Sequence, residues 1–330
     1  MILGHALYAS ELAFTWLWSL GEVGAAFLRF DELSPDPALD RIVEDIQRRG
    51  FYVDVPERPV LRGVDGDGIA PRTITGENPY VHIGKRRRPV HRVIAHLVPA
   101  RAVRRARRLL VVHHCYGVPS PRAMAALFGL DDLAETDVAY SIMNHHQRST
   151  YPLWPGTGMV SLSPACMLEN LRAAITGART LVRGLREARD YEHVSVLGYS
   201  IGGQLSLHIA NTERVDRAIL YCPVVSMERM SLELGLLPRL HPWITRLAQR
   251  RDPRYTAQVL RLADPLRHPL AIPQESIDVF AQRYDAMTPP HHLEAIRTKY
   301  PRVRWHEADG THLVPIGRQR IRAIVAAHRP

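Results

Sequence analysis

The chain has 330 residues, 46% apolar and 23% charged, enough apolar material for a sizeable core and too much for a disordered chain. Its three cysteines (Cys115, Cys166, Cys222) form no CxxC pair, which excludes a disulfide scaffold and a Cys-based zinc module and points to a reducing compartment. The formal charge of +10 would suit a polyanion partner, but all but two of the 43 basic residues are Arg (the exceptions are Lys85 and Lys299), a bias that GC-rich Arg codons explain without a partner.

The first thirty residues are rich in apolar side chains, broken by Glu11 and Glu22. The uncharged stretch between them is too short to span a membrane, and the start lacks the basic residue and small-residue cleavage site of a signal peptide. One or two helices packed on the body are expected, with Trp16 and Trp18 partly buried; a helix lying in a membrane interface is the alternative. The expected compartment is the cytoplasm, with peripheral membrane contact left open through this helix and residues 85–108. That segment holds ten basic groups and no acidic one. Placed on the first strands, at an expected sheet edge, it reads mainly as edge protection. No helix-turn-helix, zinc finger or aromatic-basic sheet supports nucleic-acid binding.

Residues 31–77 are acidic and read as a short helix near Ala38–Arg48 followed by loops, so residues 1–79 form a helical N-terminal extension. Strand-like runs begin at Tyr80: VHIGK, HRVIAHLVP, RRLLVVHHC and, at 137–143, DVAYSIM. Leu168, Leu171, Ala174, Leu181 and Leu185 recur at helical spacing and predict a long helix over 164–189. VSVLG follows as a buried strand, then a helix over Ile201–Asn211 and the strand RAILYCPVV. Residues 226–268 are helical and irregular. SIDVFAQ and VRWHEA are strands, and His291–Tyr300 and Ile316–His328 helices. This alternation predicts an α/β domain over 80–330, with a mostly parallel central sheet flanked by helices and an insertion at about 226–268.

Between VSVLG and its helix stands Gly198-Tyr199-Ser200-Ile201-Gly202-Gly203, a G-x-S-x-G sequence in a strand-to-helix setting. A turn this sharp strains the serine backbone, and small residues two before and two after allow the close approach. The hydroxyl then stands at a helix N-terminus, whose N–H groups favour developing negative charge.

On these residues the chain resembles the α/β-hydrolase superfamily, over roughly 80–328. The resemblance implies a triad in the order Ser, acid, His. Asp285, after SIDVFAQ, fits the acid, with Glu228 as runner-up. His312, in Ala308-Asp309-Gly310-Thr311-His312-Leu313, fits the base; Asp309 is too close in the same loop to rank as its partner. The oxyanion donors would be the backbone N–H of Ile201 and of Cys115 or Tyr116 in His113-His114-Cys115-Tyr116-Gly117. His114, Tyr199, His146 and Arg148 are expected to face the substrate, and residues 226–268 to form a cap. The histidine pairs 113–114, 145–146 and 291–292 make poor chelates where adjacent side chains diverge, so neither a metal nor a cofactor is expected. The implied reaction is hydrolysis of a carboxylic ester or thioester through an acyl-Ser200 intermediate. An acyltransferase, thioesterase or cyclase with the same triad is the alternative, and a non-catalytic lipid- or ligand-binding protein on this fold a second one.

Overall fold

A nine-stranded sheet organises the chain, in the order β1-β2-β3-β5-β4-β6-β7-β8-β9. The strands are β1 (Leu61–Arg62), β2 (Arg72–Glu77), β3 (Arg92–Val98), β4 (Arg108–His113), β5 (Thr136–Ser141), β6 (His193–Tyr199), β7 (Arg217–Tyr221), β8 (Ile277–Gln282) and β9 (Arg304–Ala308). The computed structural model describes residues 6–17, 37–64, 70–83, 92–103, 105–117, 120–130, 133–143, 146, 161, 163–233, 242–243, 245–246, 250–314 and 316–327. β5, β4, β6, β7, β8 and β9 run parallel to their neighbours. β1, β2 and β3 extend the sheet antiparallel beyond β5.

The pleat explains why the central strands are apolar without interruption. Leu109 and Val111 of β4 join Val194 and Val196 of β6 in one core. Leu110 and Val112 join Leu197 and Tyr199 in the other, on the opposite face. A strand covered on both sides has no polar face to show. The described helices begin with α1 (residues 6–17), α2 (Ala38–Arg49), α3 (Pro121–Phe128), α4 (Pro164–Arg189), α5 (Ile201–Thr212) and α6 (Met227–Glu233). They are followed by α7 (Pro253–Leu260), α8 (Pro290–Lys299) and α9 (Arg318–Ala327). The long helix α4 begins at Ser163, whose hydroxyl accepts from the Cys166 N–H at 3.3 Å, with Pro164 next to it.

Some of the arginines work inside the fold. Arg172, Arg179 and Arg183 lie along α4 and donate to the carbonyls of Phe51, Val53 and Val55 at 3.0, 2.6 and 2.8 Å. Each also meets a carboxylate: Arg172 pairs with Asp45 of α2 at 2.9 Å, and Arg179 and Arg183 share Glu213 at 2.8 and 2.7 Å. Fixed guanidinium forks suit this double duty.

Three expectations change. Leu61–Arg62 and Arg72–Glu77 are strands of the sheet rather than loops; two residues of β1 and the Gly-containing RTITGE are too short and irregular for period-two patterning to reveal. β3 is interior, because β2 and β1 lie outside it, so the arginine-rich segment does not guard an edge; residues 84–91 of it lie outside the described part. In α1, Glu11 and Thr15 are buried while Tyr8, Leu12, Trp16 and Leu17 are exposed, the reverse of the expected packing, and Trp18 lies outside the described part. No described helix is long and apolar enough to cross a membrane.

Candidate active site

Parallel strands end on one rim, and the loops after β4, β6, β7, β8 and β9 all open there. The turn from β6 into α5 carries Ser200 at φ 58°, ψ −119°, a strained backbone for a non-glycine residue. Cβ atoms at two positions would forbid the turn. One at Gly198 would press on the Gly202 carbonyl, and one at Gly202 on the carbonyls of His113 and His114. The second contact also places the loop after β4 directly against the elbow. The strain is held by bonds from both sides: Ser200 N–H donates to Tyr221 O at 2.9 Å, and Val224 N–H donates to Ser200 O at 3.0 Å.

Asp285 and His312 meet. His312 Nδ1 lies 2.8 Å from Asp285 Oδ2. The other acceptor sites of Asp285 take Met287 N–H at 2.8 Å, Thr288 N–H at 2.6 Å and the Thr288 hydroxyl at 2.7 Å. Both groups are buried. Burial alone would raise the Asp285 carboxyl, but the charge and hydrogen bond of His312 and the Thr288 donors hold it below its ordinary value. Burial alone would lower His312, but Asp285 and, further off, Glu11 raise it above the ordinary imidazole value. With Nδ1–H directed to Asp285, the lone pair of the neutral ring sits on Nε2, the state a base needs. Tyr199, the neighbour of Ser200, donates its hydroxyl to the His312 carbonyl, and the two rings lie 5.1 Å apart. Glu228 instead pairs with Arg261, and Asp309 is exposed and pairs with Arg283 at 2.7 Å.

The remaining candidates divide. Ile201 opens α5 directly after Ser200, and Cys115 and Tyr116 are half-buried on the adjoining loop. Burial pushes the Cys115 thiol up to about 12, which keeps it protonated and a poor nucleophile. His114 is buried and braces the backbone. Its Nδ1 lies 2.7 Å from Cys115 O and its Nε2 accepts the Met143 N–H at 3.1 Å, so both ring nitrogens hold backbone. Tyr199 is likewise buried, edge-on to Phe128 and Tyr221. His146 is buried with its ring 4.4 Å from that of His114. Arg148 lies outside the described residues.

Sequence reasoning missed Glu11. It reads there only as a charge interrupting an apolar run, yet its carboxylate is buried against the acid and histidine loops.

Among the described residues, two groups could offer ligand atoms to a metal, Cys222 with Asp285 and His312, and Glu233 with His291 and His292. In the first, the Asp285 oxygens already serve His312, Thr288 and Met287. In the second, one Glu233 oxygen lies 2.6 Å from His292 and 3.2 Å from His291, which accounts for the cluster without an ion. A cavity of about 300 Å³ lies under α6 and is lined by Ser226, Glu228, Arg229, Arg261, Asp264 and His292. Neither Ser200 nor His312 lines it.

No protein-family model matches this sequence, and no curated protein matches it. Many solved structures are similar, two acetyl xylan esterases among them. Acetyl xylan esterase 1 from a Thermoanaerobacterium species superposes with a TM-score of 0.55 at 16% identity, covering 91% of this chain and 94% of its own. An acetyl xylan esterase from a Paenibacillus species gives 0.53 at 15% identity, covering 78% and 84%. At such identities the likeness is one of architecture; together with the strand order and the strained serine turn, it makes this chain a protein of the α/β-hydrolase fold.

Proposed function

We propose that the protein is a serine hydrolase that cleaves a carboxylic ester or thioester through an acyl-Ser200 intermediate. The observations that support this reading are the 2.8 Å Asp285–His312 bond and the link of His312 to Tyr199, the neighbour of a serine in elbow geometry. His312 Nε2 takes the Ser200 proton as Oγ attacks the acyl carbon. The tetrahedral oxyanion is held by the N–H of Ile201 and by that of Cys115 or Tyr116. Collapse breaks the bond to the leaving oxygen or sulfur, which receives the proton from His312. Water, deprotonated by His312, then attacks the acyl-serine, releasing the acid and restoring Ser200. Asp285 fixes the tautomer and stabilises the imidazolium in both halves.

The two structures described above are titled acetyl xylan esterases, which supports an acetyl ester as the first substrate to test. The test is labelling by a fluorophosphonate, with p-nitrophenyl acetate turnover in parallel. Wild type is labelled and turns over, and Ser200→Ala does neither. Labelling that survives Ser200→Ala, or a wild type inert to both reagents, removes this reading.

A further inference from the structure

α1 buries a polar stripe. Glu11 is 2% exposed and Thr15 1%, while Leu17 on its outer side is 67% exposed. Thr15 is satisfied within the helix, its hydroxyl donating to Glu11 O at 2.8 Å. Glu11 is not: among the described residues its carboxylate meets no cation and reaches out of the helix. Oε2 accepts the Ala286 N–H at 3.1 Å and Oε1 accepts the Leu313 N–H at 2.9 Å. Ala286 follows Asp285 and Leu313 follows His312. One carboxylate therefore grips the chain immediately after each member of the acid–base pair.

We propose that Glu11 is a positioning residue of this site: from the N-terminal helix it clamps the acid loop to the histidine loop and sets a second carboxylate beside Asp285 and His312, so that full turnover requires α1 in place. This rests on the serine hydrolase reading above.

Two physical effects follow from the geometry. The first is alignment. Hydrogen bonds to a charged acceptor are strong and directional, and an unpaired buried amide is costly, so the two loops hold one spacing while Glu11 is ionised. The second is charge. His312 becomes an imidazolium in each transition state, and Glu11 adds to the field of Asp285 that favours it. Burial, with the Asp285 charge beside it, pushes the Glu11 carboxyl up to about 7, against the pull of His312 and of the two amides. Protonation would set an O–H against one of the two N–H donors and release half of the clamp. The titratable groups facing this point are Asp285, His312 and the buried Cys222 thiol, which burial and Asp285 hold protonated.

The test uses the whole chain with Glu11→Gln, which keeps the shape, and Glu11→Ala. Turnover of p-nitrophenyl acetate is followed across pH, alongside fluorophosphonate labelling rates and melting temperature. Glu11→Gln is expected to lower kcat by about tenfold, to leave KM within about twofold, and to move the acidic limb of kcat/KM to lower pH, since His312 loses a neighbouring anion. Glu11→Ala lowers kcat further; should it fail to fold, Glu11→Gln decides alone. A Glu11→Gln protein with wild-type kcat and pH profile overturns the proposal, even if it melts lower, because a purely structural contact would change stability alone. A wild type inert to both reagents removes the hydrolase reading itself, and the positioning role with it; an active wild type with an unaffected Glu11→Gln variant removes only the latter.

Discussion

Tyr199 and His312 are joined through the backbone: the hydroxyl of the residue before Ser200 donates to the carbonyl of the histidine. The elbow and the histidine loop are therefore spaced by a rigid aromatic strut that is itself wedged between Phe128 and Tyr221. Tyr199→Phe keeps the ring and removes the donor, leaving a buried carbonyl unsatisfied. We expect a loss of roughly 1–3 kcal/mol in stability and a fall in kcat larger than any change in KM, read from urea titration and steady-state kinetics.

Asp285→Asn tests the tautomer. An amide N–H facing Nδ1 would drive the ring proton to Nε2, where the base is needed. The expected outcome is a fall in kcat of about 10³- to 10⁴-fold in a protein that still folds, checked by kinetics and circular dichroism.

The pH dependence follows from the two shifts. His312 is raised, so its stabilising effect is complete below the unfolded imidazole value and is lost as pH rises through the folded one. Asp285 is lowered, so its effect is present above the unfolded carboxyl value and is lost as pH falls through the folded one. The pair therefore contributes most between the ordinary carboxyl and imidazole values. Activity needs neutral His312, so kcat/KM should rise through a pH above the ordinary imidazole value and reach its plateau where the pair's contribution to stability is declining. Melting temperature and kcat/KM measured over the same pH series should show this offset.

Gly202→Ala should be disruptive. The new methyl would press on two carbonyls of the β4 loop, which are backbone and cannot rotate away. A destabilisation of about 3 kcal/mol, or insoluble protein, is expected. A Gly202→Ala variant with wild-type melting and activity would show that the elbow has room the structure denies it.

Away from the site, Asp278 is fully buried and is shared by Arg217 at 2.6 Å, His306 at 2.7 Å and Arg304 at 3.4 Å. Asp278→Ala would remove the carboxylate that Arg217, Arg304 and His306 share, at a cost of roughly 3–5 kcal/mol, measurable by urea unfolding.

What could be read from the sequence was whatever depended on local pattern. The elbow announced itself because the turn demands glycine at 198 and 202, and Asp285 and His312 followed from their places after strands. The long helix at 164–189 matched its prediction because its apolar positions recur over many turns. What could not be read depended on distant partners. Nothing near His114 says that its ring will hold the Met143 amide, and nothing near Arg172 says that it will reach Phe51. β1 and β2 gain their identity only by pairing, so β3 was taken for an edge. Glu11 was the hardest of all, since a carboxylate in an apolar run reads as an interruption until the loops that need it are in view.

That last contact joins residues 302 positions apart. During synthesis α1 emerges long before the loop it grips exists. Until then its carboxylate has neither Ala286 nor Leu313 to bind. The clamp therefore cannot close until the histidine loop has been made, and a chain halted before His312 would carry the elbow and Asp285 but no acid–base pair.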